Sequence, residues 1–215
     1  ITNSGNITDT TDNGIKNITG ATIGTINNTG TITGGALDIR NANDAGASGT
    51  ITTLINSQGG SDALTYGYQL PTNYKVILNS TTDYGKIVFS NKSGTTTFDV
   101  DSSSVYSGST ETTYTDVISG LTESDIESCT SDTDCVNNNN NGVVQGSNRY
   151  YWKLDDTNGD DDWDLIVTPV SIINNTNTSV EETKDEINAS MNSLKAVTDV
   201  NFAQMNTYDC DFFGD

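Results

Sequence analysis

The sequence predicts a mainly β fold: a right-handed parallel β-solenoid (β-helix) with a β-rich C-terminal cap, followed by one C-terminal α-helix. Three observations predict it. Short Ile-bearing segments recur at intervals in the twenties. The stretch "RYYWKLDDTNGDDDWDLIVTP" separates into an apolar and a charged face when folded as a hairpin. Beyond Ser179 the apolar residues change from strand spacing to helical spacing.

The repeat comes first in the chain. "ITNSGNIT" (1–8) and "INNTGTIT" (26–33) share Ile, Asn, Gly, Ile and Thr in register, 25 residues apart. "INSQGG" (55–60) shares Ile-Asn and Gly, 29 residues further on. "NGIKN" (13–17) resembles "GGALDIRN" (34–41), and "TIGTINNTG" (22–30) resembles "TITTLINSQG" (50–59) with one insertion. In a β-solenoid each coil is a few short strands joined by turns, and alternate side chains point inward. Ile and Val suit the inward positions, Gly and Asn suit corners where φ is often positive, and Asn can stack in hydrogen-bonded ladders. Each coil then needs only a thin apolar lining, because its neighbours supply the rest of the core. Residues 1–70 are assigned to such coils.

Residues 71–170 read as a β-rich cap. "YKVIL" (74–78), "KIVFS" (86–90), "TTTFDV" (95–100) and "TYTDVISGL" (113–121) are strand-like, and the Asn run at 137–141 marks a loose loop. The hairpin closes the segment. A two-residue turn at Asn158-Gly159 sets Leu154 opposite Trp163, Trp152 opposite Leu165 and Tyr150 opposite Val167, all on one buried side. Lys153 and Asp164 then pair on the other side. Asp155, Asp156, Asp160, Asp161 and Asp162 in the turn invite a calcium reading, but the EF-type spacing fails where Gly is required, because Asp161 stands there. A solvated acidic turn is the better description, and no metal or other cofactor is assigned.

After a linker at 171–178, residues 179–208 read as a helix. Thr178-x-x-Glu181 is a capping box, and Ile187, Met191, Leu194, Val197 and Phe202 form a narrow stripe. At 1.5 Å per residue this helix is about 43 Å long, more than a small β-domain needs and suited to a polar tunnel across a membrane.

Composition bounds the function. A net charge of −20, with nine Lys and Arg against 29 Asp and Glu, repels nucleic acid and anionic membranes. The chain has no His, which removes the commonest general base and transition-metal ligand. Ile1 is not preceded by Met and the chain stops at "CDFFGD", so it reads as a processed piece, or the ordered part, of a longer protein. Cys129 and Cys135 enclose the polar loop "CTSDTDC" and fit a short surface disulfide in an oxidising compartment better than zinc. Cys210 is left over, with a partner to be sought beyond residue 215.

The order of "ITNSGNIT"-type coils, a cap containing "LPTNYKVIL", "TYTDVISGL" and "YYWKLDDTNGDDDWDLIVTP", and an Asn-rich helix resembles the C-terminal part of a bacterial autotransporter passenger over essentially the whole chain. The resemblance implies that the cap helps the passenger fold once outside the cell. It implies that the helix threads an outer-membrane β-barrel encoded downstream. It further implies a non-enzymatic cell-surface role as stalk, adhesin or surface-layer component, with host or surface glycans or other copies of the chain as partners. The Asn cleavage motif of some members is not matched. Two other classes stay open: a fragment of a β-helix carbohydrate-active enzyme, which needs only two suitably spaced carboxylates, and a segment of a viral tail fibre or spike.

The cysteine spacing makes one prediction directly. Non-reducing peptide mapping of the secreted protein should recover Cys129 linked to Cys135, and recovery of both as alkylated thiols refutes the pairing.

Overall fold

The structure is a computed structural model that describes residues 1–42, 47–105, 110–127, 135–136, 143–145, 148–156 and 159–169. The linker at 171–178, the helix at 179–208, Cys129 and hence the Cys129–Cys135 pairing lie outside the described residues.

The chain winds as a parallel β-solenoid of about four full turns, which carry it five times across each of two main sheets. The first coil contributes β1 (Thr2–Asn3), β2 (Asn6–Asp9) and β3 (Ile15–Lys16). The second contributes β4 (Thr22–Asn28), β5 (Thr31–Gly34) and β6 (Ile39–Asn41). Later coils keep two strands each: β7 (Thr50–Asn56) with β8 (Leu64–Gln69), β9 (Asn73–Val76) with β10 (Ile87–Ser93), and β11 (Thr97–Val100) with β12 (Thr112–Ser119). One sheet runs β1-β4-β7-β9-β11 and a second runs β3-β6-β8-β10-β12, while among the described residues the third face holds β2 and β5. All these pairings are parallel.

The repeat sets the register. Ile7 lies beside Ile32 and Ile15 beside Ile39, as the aligned segments require. The third alignment is corrected by one residue. Ile26 stacks on Leu54, not on Ile55, and Thr22–Asn28 meets Thr50–Asn56 without an insertion. Leu54 is fully buried and Ile55 half-buried, so a one-residue slip would turn the wrong side chain inward. The solenoid also passes residue 70. Tyr74 pairs with Leu54 and with Phe98, and Ile87 with Leu64 and with Ile118, so the coils run through Ser119 within one compact unit, Ile1–Val170.

Two materials fill the interior. The early coils are lined by Ile26, Ile32, Ile39, Ile51, Leu54 and Leu64, each almost wholly buried and each worth about 1.5–3 kcal/mol by transfer. Aromatic rings then take over. Tyr66 meets Phe89 at 5.4 Å, Tyr74 meets Phe89 at 6.0 Å and Phe98 at 5.9 Å. Burial drives the Tyr66 and Tyr74 phenols far up, so both stay neutral.

Polar rows run beside the apolar lining. The Asn3 amide donates to Asn28 Oδ1 at 2.9 Å, and the Asn28 amide donates to Asn56 Oδ1 at 3.1 Å. In a second row Asn17 donates to Asn41 Oδ1 at 2.9 Å. These five side chains are buried, and stacking supplies each with the partners burial demands. Where the third face loses its strand, the Gln58 side chain takes the strand's place. Its Oε1 accepts from Ile32 N at 2.8 Å, and its Nε2 donates to Ile32 O at 3.1 Å. That amide meets the β5 edge as a peptide group of a third strand would. The adjoining corner is packed backbone on backbone. A Cβ on Gly30 would stand 2.1 Å from Gly5 O, so close approach, and not a positive φ, requires glycine there.

Asn28 sits in the middle of its row, with bonds to the coils on both sides. Asn28→Leu keeps the volume but leaves those partners short of a bond, and stability should fall by about 1–3 kcal/mol. Urea titration should show a lower midpoint with unchanged slope; an unchanged midpoint would rule the row out as a structural element.

Candidate functional site

The most distinctive assembly on the solenoid is the closure of its last coil. β12 pairs in parallel with β10 on one side and antiparallel with β16 (Asp162–Pro169) on the other. β15 (Asn148–Asp155) continues the sheet, and the short strands β13 (Cys135–Val136) and β14 (Val143–Gln145) cover its outer edge. The hairpin turns one face to the core: Tyr150, Trp152, Leu154, Trp163, Leu165 and Val167 are all buried.

The hairpin register differs from the sequence expectation. Leu154 lies opposite Leu165, Trp152 opposite Val167 and Tyr150 opposite Pro169. The shift is two residues, which keeps every side chain on its expected face, because side chains alternate with period two. Its cause is the connection, which extends from Asp156 to Asp161 and is not a two-residue turn. Lys153 consequently faces Ile166 across the ladder, and its ammonium bonds Asp155 Oδ2 at 3.0 Å, not Asp164.

Trp163 and Trp152 fix this closure differently. The fully buried Trp163 donates its indole N–H to Leu121 O at 2.8 Å, tying the hairpin to the segment that leaves the last coil. Trp152 stands edge-on to Phe98, centroids 5.0 Å apart, and so ends the aromatic column. The parallel-to-antiparallel change falls at a bulge in β12 between Tyr114 and Ile118. There Asp116 adopts φ 53°, its N–H bonds Asp164 Oδ1 at 3.0 Å, and its carboxylate lies 3.5 Å from Lys86 Nζ. The Tyr84 hydroxyl donates to Thr115 O at 3.1 Å, and its ring meets Tyr114 at 5.1 Å. Sequence reasoning missed this cluster, because its members come from two coils and carry no local pattern.

Beside the hairpin turn, Thr122, Glu123, Ser124, Asp156, Gly159 and Asp161 line an open polar cleft. Three of these residues, Glu123, Asp156 and Asp161, carry carboxylates. Asp156 Oδ1 accepts from Gly159 N at 3.0 Å and from Asp160 N at 3.3 Å, and Oδ2 accepts from Asp161 N at 3.3 Å. Burial pushes this carboxyl above its ordinary range, the three N–H groups oppose the rise, and the Asp160 charge adds to it. Its lone pairs hold the turn together. Among the described residues no cluster of His, Cys, Asp or Glu is arranged to hold a metal ion. Asp125, behind the cleft, accepts from Thr122 Oγ1 at 2.6 Å and Thr122 N at 2.8 Å and meets Lys92 Nζ at 2.6 Å. Burial pulls its carboxyl up, but Lys92 and Thr122 outweigh that and hold it below the usual value, so it is a weak base.

No protein-family model, curated protein or solved structure matches this chain.

Removing the anchor tests the closure. Trp163→Ala should cost about 3–5 kcal/mol, as for buried aromatics generally, and should promote aggregation as the coil end loosens. A variant that melts like the parent and stays monodisperse in sedimentation would reduce the hairpin to an ornament. Asp125 supplies a pH test. Its folded-state pKa is depressed, so its stabilisation is complete above the unfolded value near 3.9 and is lost as pH falls through the folded value. Asp125→Asn should therefore flatten the acid limb of the stability curve below about pH 4; an acid limb identical to the parent's would contradict the Lys92–Asp125 account.

Proposed function

We propose that this chain is a non-enzymatic cell-surface element, a passenger segment of autotransporter type that acts as a stalk, adhesin or surface-layer component. The observation that carries the proposal is the solenoid finished at its C-terminal end by an antiparallel hairpin. A parallel stack otherwise ends in an edge of unpaired N–H and C=O groups that recruits other strands. A protein working outside the cell at high local density gains from a closed edge, and the closure here buries both of the chain's tryptophans. The acidic exterior, at a net charge of −20, keeps such an element solvated and apart from anionic surfaces. Ser/Thr/Asn-rich turns bring polar groups outward at each coil, a surface suited to contact with glycans or other proteins.

On this reading the β-barrel partner follows the chain in the full-length protein, and the cap lies nearest the outer membrane. Protease treatment of intact cells producing the full-length protein should release fragments containing residues 1–169. Fragments that become cleavable only after lysis would overturn the surface assignment. Turnover of polysaccharides by the full-length protein would favour a β-helix enzyme instead.

A further inference from the structure

Tyr68, near the end of β8, holds φ at 77°. A bulky side chain in that region costs free energy that glycine avoids, and Asn and Asp tolerate it far better. Among the described residues the other left-handed positions are filled accordingly, by five glycines, Asn91, Asp116 and Asp161. Alternation from the buried Tyr66 would send residue 68 inward, where its register partner Asn41 lies fully buried in its row. The left-handed backbone takes the ring out of the stack. Tyr68 is half-buried, and the Arg40 guanidinium lies over its ring, 4.5 Å from the centroid. An Asn at position 68 would suit both the backbone and the row, so it is the ring that the strain retains. The next coil is shaped around it. Ser90 lies beside Gly67 and Ser93 beside Gln69, so Asn91 and Lys92 both stand opposite Tyr68 in a bulge, with Asn91 at φ 48°. Asn91 and Ser93 are exposed, and Ser93 Oγ donates to Gln69 Oε1 at 3.3 Å.

We propose that Tyr68, Arg40, Gln69, Asn91 and Ser93 form a binding site for a neutral glycan, with one pyranose seated against the Tyr68 ring and its hydroxyls bonded by the surrounding polar side chains. This deepens the adhesin reading above by naming where a glycan sits, and rests on it. The chemistry of the site selects the class of ligand. A pyranose carries an apolar C–H face and a rim of hydroxyls that donate and accept. The tyrosine ring supplies rigid apolar area at little cost in side-chain entropy. The Gln69 and Asn91 carboxamides and the Ser93 hydroxyl both donate and accept, and Arg40 donates. An acidic sugar fits less well. The Lys92 charge is matched by Asp125 at 2.6 Å, the Arg40 charge rests on the ring, and a net charge of −20 repels polyanions. A peptide added as a strand would need a free sheet edge, whereas β8 is paired on both sides, with β6 and with β10.

The test is retention of the chain on an array of immobilised neutral oligosaccharides built from glucose, galactose, mannose or N-acetylglucosamine, spotted beside uronate-containing ones. The parent should be retained on at least one neutral member and released by the same sugar in solution. Tyr68→Phe keeps the ring and should bind as the parent does. Tyr68→Gly relieves the backbone, so its urea midpoint should equal or exceed the parent's while retention falls by about tenfold or more. Failure of the parent to bind any neutral member, retention confined to the uronate members, or unchanged retention of Tyr68→Gly overturns the proposal. A clearly lower urea midpoint for Tyr68→Gly also overturns it, because the ring is then a packed cover whose contacts offset its strain. None of these results bears on the protease test of surface location, so the two readings fail separately.

Discussion

A side chain that points into a stack of parallel coils has the equivalent side chains one coil before and one coil after as its main neighbours, and the rest of this structure depends on that constraint. Apolar residues meet it easily, as Ile7, Ile32 and Ile15, Ile39 do. A row of like buried polar side chains meets it only if each can donate in one direction and accept in the other. The carboxamide does both. Stacked aspartates would repel, and serine is too short to bond the equivalent serine one coil away; where serine is buried it bonds the neighbouring backbone, as Ser104 Oγ accepts from Leu78 N at 3.0 Å. The Asn-rich composition therefore builds an interior here, where the same composition in an unpatterned chain would signal disorder. Asn3, Asn28 and Asn56 show that a hydrophobic share of 33% suffices when amides line part of the core.

The same stacking gives the scarce cations their places. Each lysine whose side chain is described lies in an ion pair, and three pairs join successive coils or the segment beyond the last: Lys75–Asp99, Lys86–Asp116 and Lys92–Asp125. Partly exposed pairs of this kind are worth about 0–1 kcal/mol, so they contribute alignment more than stability. Lys86 and Lys92 lie beside the bulges in β10 and β12, where backbone register alone no longer fixes the spacing.

What was legible in the sequence was what repeats with constant spacing. The Ile and Asn positions of the first two coils were readable because the intervals between them are nearly equal, 25 residues for Asn3–Asn28 and Ile7–Ile32 and 24 for Ile15–Ile39 and Asn17–Asn41. Leu54 was misplaced because Leu54 and Ile55 are adjacent and both apolar, so composition cannot choose which one points inward; Asn56 chooses, by stacking on Asn28. The later coils escaped recognition because their loops vary and Tyr74, Phe89 and Phe98 replace the Ile signature. The cap hairpin was legible as a face and not as a register. Alternation is written in Trp152, Leu154, Trp163 and Leu165, but the length of the turn depends on Asp156, whose carboxylate gathers the N–H groups of the turn. The cluster of Lys86, Asp116 and Tyr84 had no local signal, since it exists only once coils stack.

The two ends of the stack obey one rule with opposite outcomes. At the last coil β12 receives an antiparallel partner, and a hairpin whose strands pair with each other cannot hand the parallel register onward. Trp152 closes the aromatic column, Trp163 ties the closure to Leu121, and β13 and β14 occupy the next edge. Propagation therefore has a built stop at one end. The polar rows give it a sense from the other, because each amide donates toward the stop. Each coil contacts mainly its neighbours, so the contacts of one coil form only when an adjacent edge is already in place. The closed end offers such an edge with its core already sealed. Addition of coils from the hairpin outward is thus the route that leaves the fewest buried amides waiting for partners.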